Sequence, residues 1–140
     1  MSDGQQLWMQ AARILNSDEA ESRAAEAQRL SEQAVEVFRQ HNDTVGLARA
    51  LATASMACSY SGDLSVGISY GYEALELQQK AGLSVESVML RDSLARDLRK
   101  VGRHQEAKEV LAQAHSQLDG MMGRTAARRM VSKPWWRFWG

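Results

Sequence analysis

Residues 61–74 read SGDLSVGISYGYEA, and residues 101–114 read VGRHQEAKEVLAQA. Laid over one another at a spacing of 40, they share Gly62 with Gly102 and Ala74 with Ala114. Residues 21–34, ESRAAEAQRLSEQA, fall on the same frame. There Ser22 stands at the turn, Ala27 matches Gly67 and Ala107, and Ala34 matches Ala74 and Ala114. A fixed period of this length is the mark of a chain built from stacked supersecondary units.

Each unit reads as helix, turn, helix. Ser61-Gly62-Asp63-Leu64 and Val101-Gly102-Arg103-His104 each close one apolar-periodic stretch and open another. His41-Asn42-Asp43 and Ala81-Gly82-Leu83 separate the units with further turn-forming residues. The periodicity predicts six helices over residues 5–18, 20–41, 44–61, 63–81, 84–101 and 103–119, and a short seventh over 124–132. Small residues on the second helix of each unit allow close backbone approach to the first. Larger neighbours such as Leu30, Phe38, Tyr70, Leu75, Val110 and Leu118 fill the groove beside them. Gly67 and Gly71 each cost about 1 kcal/mol in helix propensity relative to alanine, so tight helix contact is the expected compensation.

Composition sets the class. The chain has 140 residues, one domain by length, with 44% hydrophobic and 24% charged side chains, which excludes a disordered chain. Pro134 is its single proline, and valine and isoleucine never alternate with polar residues over a strand length. The predicted fold class is all-α. Cys58 is alone, which rules out an internal disulfide. The first residues, Met1-Ser2-Asp3-Gly4-Gln5-Gln6, carry neither a basic nor an apolar signal region, and no apolar run reaches the roughly 20 residues of a membrane span. The expected location is cytoplasmic.

The pattern resembles the tetratricopeptide repeat (TPR), in the lengthened form of many bacterial regulatory and scaffold proteins. Leu51, Gly62 and Ala74 carry the likeness in the middle unit. Leu94, Ala95, Gly102, Ala107, Leu111 and Ala114 carry it in the last unit, and Ala27 and Ala34 in the first. The signature tryptophan, tyrosine and closing proline are missing from these units, and Gly67 and Gly71 replace an alanine and an aromatic. The resemblance implies a right-handed α-α superhelix of about three hairpins, acting as a protein-interaction scaffold or adaptor. It also implies a concave groove lined by the first helix of each hairpin. On this chain those positions are Met9, Ala12 and Asn16, then Arg49, Ala52, Met56 and Tyr60, then Met89, Asp92, Arg96 and Arg99. Methionine beside arginine suits an adaptable surface for an acidic, hydrophobic peptide or helix. A second copy of the chain is a further candidate partner, because end faces of a short solenoid need cover.

Residues 121–140 stand apart from the body, residues 1–120. All 17 acidic side chains lie in the body with 12 basic ones, a balance of 12 − 17 = −5. The tail has Arg124, Arg128, Arg129, Lys133 and Arg137 and no acid, a balance of +5. It ends Lys133-Pro134-Trp135-Trp136-Arg137-Phe138-Trp139-Gly140. Four roles suit such a segment. It can cap the solenoid end, dock on a partner protein, or lie in an anionic membrane interface. Stacking on nucleic acid is the fourth role, disfavoured by the acidic body. The leading expectation is a docking or tethering tail, and peripheral membrane association is the alternative.

Catalytic patterns are wanting. His41, His104 and His115 are scattered, and there is no CxxC, no HExxH and no Gly-rich phosphate loop. Cys58 reads as a small buried thiol. The expectation is a binding module, not an enzyme, with no cofactor and no metal.

Overall fold

The computed structural model describes residues 2–122. Among them are six helices and no strand: α1 (Asp3–Leu15), α2 (Ala24–Gln40), α3 (Thr44–Ser61), α4 (Leu64–Ala81), α5 (Ser84–Lys100) and α6 (His104–Met122). The expected seventh helix and the basic aromatic tail lie outside the described residues.

The helix ends share one device. Asn42, Gly62, Gly82 and Gly102 all have positive φ, at 54°, 90°, 72° and 84°. Each is followed by a residue whose N–H donates to the carbonyl five residues back. The pairs are Asp43 to Phe38, Asp63 to Cys58, Leu83 to Gln78 and Arg103 to Leu98, at 3.1, 3.0, 2.9 and 2.8 Å. This Schellman closure satisfies carbonyls that a helix end would otherwise leave bare. It recurs every 20 residues, so one helix and its turn make a unit, and two make the 40-residue repeat. Asp43 then caps α3 by accepting from Gly46 N at 2.9 Å, and Ser2 and Gln5 form a capping box on α1.

The first connection departs from this rule. Helix α1 ends at Leu15 and α2 begins at Ala24, so the predicted limits of 18 and 20 give way to an eight-residue link. Local side-chain bonds hold the link out of helix: Ser17 Oγ donates to Ile14 O at 2.7 Å and accepts from Glu19 N at 3.1 Å. At the other end α6 continues through Gly120 to Met122.

Successive helices pack against each other, and α3 also meets α1 and α5. The core runs through α2 to α6 around Leu51, Leu94 and Leu98, which are fully buried. Burying each such side chain stabilises by about 2–3 kcal/mol. A second cluster, Ala11, Ile14, Leu15, Ala27, Leu30 and Ala57, seats α1. The glycines of α4 sit where the close-approach reading puts them. A Cβ on Gly67 would lie 2.7 Å from Cys58 Cβ, and one on Gly71 would lie 3.1 Å from Leu94 Cδ1. That proximity lets Ser55 Oγ donate to Gly67 O at 2.7 Å. Neighbouring hairpins are tied by side chains 34 to 38 residues apart, among them Arg39–Glu73 at 2.7 Å, Tyr72–Glu106 at 2.7 Å and Tyr70–Glu32 at 2.5 Å.

Candidate functional site

The helices α1, α3 and α5 share one side of the molecule, and between them opens a cavity of about 880 Å³. Its apolar wall is unusual for an open surface. Met56, Tyr60 and Met89, which are 41%, 45% and 43% exposed, converge there with Trp8, Ala52 and Leu90. Trp8 is fixed by a 2.8 Å hydrogen bond from its indole Nε1 to Thr53 Oγ1. The Thr53 hydroxyl in turn donates to Arg49 O at 2.9 Å.

The polar wall is largely self-paired. Arg49 Nη2 lies 3.1 Å from Glu86 Oε1, and Arg96 Nη2 lies 3.7 Å from Asp92 Oδ2. Lys100 and Glu21 complete the rim. Deeper in, the Ser59 hydroxyl donates to Asp97 Oδ2, and Gln78 reaches the cavity from α4. Asp97 is 2% exposed and Gln78 is 1% exposed. Gln78 Oε1 is buried with no hydrogen-bond partner among the described residues.

The residues expected from the resemblance divide cleanly. Arg49, Ala52, Met56, Tyr60, Met89, Asp92 and Arg96 come together in the cavity. Arg99 does not line it, and Lys100, one turn on from Arg96, takes that place. Met9, Ala12 and Asn16 do not line it either. Asn16 caps the end of α1, its N–H donating to Ala12 O at 3.0 Å, and Trp8 is the residue that α1 contributes. The reason is register. Side-chain bonds between α3 and α5 join residues 37 and 38 apart, whereas the bond from Trp8 to Thr53 spans 45. The extra residues are those of the long α1–α2 link, which also brings Glu21 to the cavity. Sequence reasoning missed Asp97, Gln78, Ser59 and Trp8. For Trp8 the signal was present, an amphipathic aromatic on an otherwise modest helix.

Elsewhere the ionisable groups are structural. Burial pushes the Cys58 thiol up to about 12 from its ordinary 9.0, so the sulfur stays protonated. Burial and a hydrogen bond to Glu106 push the Tyr72 hydroxyl up to about 12. Burial pulls the Arg91 guanidinium below its usual range, and this side chain donates to Gln113. His41, His104 and His115 are exposed. Among the described residues no group of three or more His, Cys, Asp or Glu side chains is placed to hold a metal ion, and no helix is long and apolar enough to cross a membrane. Neither a protein-family model, nor a curated protein, nor a solved structure matches the chain.

Proposed function

We propose that the chain is a TPR-like interaction module, a right-handed superhelix of three helical hairpins acting as a scaffold or adaptor rather than an enzyme. The groove of α1, α3 and α5 holds a peptide or an amphipathic helix of a partner protein, in the cytoplasm, and residues 121–140 dock or tether the complex. The observation that carries this reading is the convergence of Met56, Tyr60 and Met89, all substantially exposed, in one cavity of about 880 Å³. A cavity of this size suits a few side chains of a bound segment. Thioether walls adapt to their shape.

The reading is tested with the full chain and extract from its source cells. The pair Met56→Glu and Met89→Glu should abolish capture of the partner while helicity by circular dichroism stays unchanged. Arg99→Glu, outside the cavity, should leave capture intact. Retention of the same partner by the methionine pair would overturn the groove as the recognition surface. The alternative, a peripheral membrane protein, draws on Trp135, Trp136 and Trp139 beside Arg128, Arg129, Lys133, Arg137 and Phe138. All of these lie outside the described residues.

A further inference from the structure

The 20-residue frame makes the cavity floor conspicuous. Gln78 stands at the residue whose carbonyl closes the end of α4, and the matching places on α2, α3 and α5 hold Phe38, Cys58 and Leu98. All four are buried, at 4%, 0%, 1% and 0% exposure for Phe38, Cys58, Gln78 and Leu98. Asp97 likewise stands 40 residues after Ala57, which is fully buried. Two acceptor groups therefore occupy interior places that the other repeats fill with apolar side chains, and both line the groove.

Neither acceptor is paired with a cation from within. Gln78 Oε1 has no partner. Asp97 receives the Ser59 hydroxyl, and no lysine or arginine nitrogen among the described residues lies within 4.0 Å of it. The nearby arginines are engaged, Arg49 with Glu86 and Arg96 with Asp92. A buried amide oxygen without a donor and a buried carboxylate without a cation are costly, and a ligand that brings a charged donor lowers that cost.

We propose that the floor of the groove is a cation subsite. Asp97 and Gln78 Oε1 receive the side-chain nitrogen of a lysine or arginine on a partner peptide, whose apolar neighbours lie against Met56, Tyr60 and Met89. This rests on the groove being a peptide site, and it reverses the charge expected from the groove arginines alone. An acidic side chain reaching the floor would meet Asp97 directly, while Arg49 already holds Glu86 and Arg96 lies 3.7 Å from Asp92, so that Lys100 at the rim is the cation left to receive it.

The test uses the full chain against a phage-displayed library of random dodecapeptides. Selected peptides should share a lysine or arginine flanked by apolar residues. For one such peptide, followed by fluorescence anisotropy, replacing that residue with glutamine should weaken binding on the order of tenfold. Asp97→Asn should weaken the basic peptide by a similar factor and leave its glutamine version unchanged. Gln78→Glu, which adds a second negative acceptor, should tighten the basic peptide and so reads the subsite independently if Asp97→Asn fails to fold. Selection of peptides without a basic residue, or equal loss of basic and neutral peptides in Asp97→Asn, would overturn the subsite while leaving the groove in place. Selected peptides that still bind the Met56→Glu, Met89→Glu pair would overturn the groove itself. If only a chain carrying Trp135→Ala, Trp136→Ala and Trp139→Ala selected basic peptides, the occupant would be this chain's own tail and the partner would be overturned.

Discussion

Arg49 on α3 reaches across to α5 and donates to a single oxygen of Glu86, from Nη2 at 3.1 Å and from Nε at 3.3 Å. The pair sits on the rim of the groove with both side chains about two-fifths exposed. It ties two helices of adjacent hairpins and pairs off a cation at the cavity rim. Solvent screens a pair of this exposure, so its contribution to stability is small. A double-mutant cycle with Arg49→Ala and Glu86→Ala should give a coupling of about 0.2–1 kcal/mol in urea denaturation. A larger value would show that solvent screens the pair less than its exposure implies.

Gly67 and Gly120 predict opposite outcomes for the same substitution. Both are helical, so alanine gains up to about 1 kcal/mol of propensity at each. At Gly120 nothing lies within 4 Å of the added Cβ, and Gly120→Ala should stabilise. At Gly67 the new carbon falls 2.7 Å from Cys58 Cβ and 3.2 Å from Ser55 O. Helices α3 and α4 must part, and Gly67→Ala should destabilise by about 1–3 kcal/mol despite the propensity gain. Thermal melts of the two variants check the pair of signs.

Much of this architecture is legible in the sequence, and the reasons differ by residue. Gly62, Gly82 and Gly102 mark three helix ends because positive φ is easiest for glycine. Asn42 marks the fourth less visibly, since asparagine reaches φ 54° through its tolerance of the left-handed region. The 20-residue frame is hidden because its buried places hold chemically unlike residues, Phe38, Cys58, Gln78 and Leu98. The cavity face of α3 and α5 matches what the family resemblance implies, but that of α1 does not, because the length of the α1–α2 link resets its register. Asp97 is invisible as a site residue for a different reason. Its burial arises only when α3 and α5 pack, and a lone acidic residue on a helix reads as solvated.

Cys58 gives the fold a defined alkaline weakness. Its thiol is pushed up to about 12 by burial, from 9.0. A group whose folded pKa is raised contributes stability that is complete below the unfolded pKa and is lost as pH rises through the folded one. Unfolding free energy should therefore fall between about pH 9 and pH 12. Tyr72, also raised to about 12, adds to the same slope. Cys58→Ala should flatten the Cys58 part of it, even though the variant starts from a lower stability at neutral pH because of the small cavity created. Urea midpoints at a series of pH values measure the slopes. Equal slopes for the two chains would contradict the burial of the thiol.

Trp135, Trp136 and Trp139 distinguish a tethering tail from a capping one. A capping role would require an apolar end face on the last helix, and α6 does not present one. Ala107, Val110, Ala114 and Leu118 are buried. Helix α6 packs against α5, where Val88 meets Leu118. The other side carries His104, Lys108, Glu109, His115, Ser116 and Asp119, all exposed and polar, and Met121 is exposed near its end. Among the side chains described, α6 thus offers little apolar surface for a cap. Replacing the three tryptophans with alanine should change stability by no more than about 0.5 kcal/mol, the scale of surface substitutions. The same replacement should abolish tethering of the full chain. Co-sedimentation with vesicles containing phosphatidylserine identifies the target. A membrane anchor binds them, and binding weakens as salt rises because the five basic side chains are screened. A protein-docking tail leaves them unbound at every salt concentration. A clear fall in melting temperature in the alanine variant would instead assign the tail to the body and end the tethering reading.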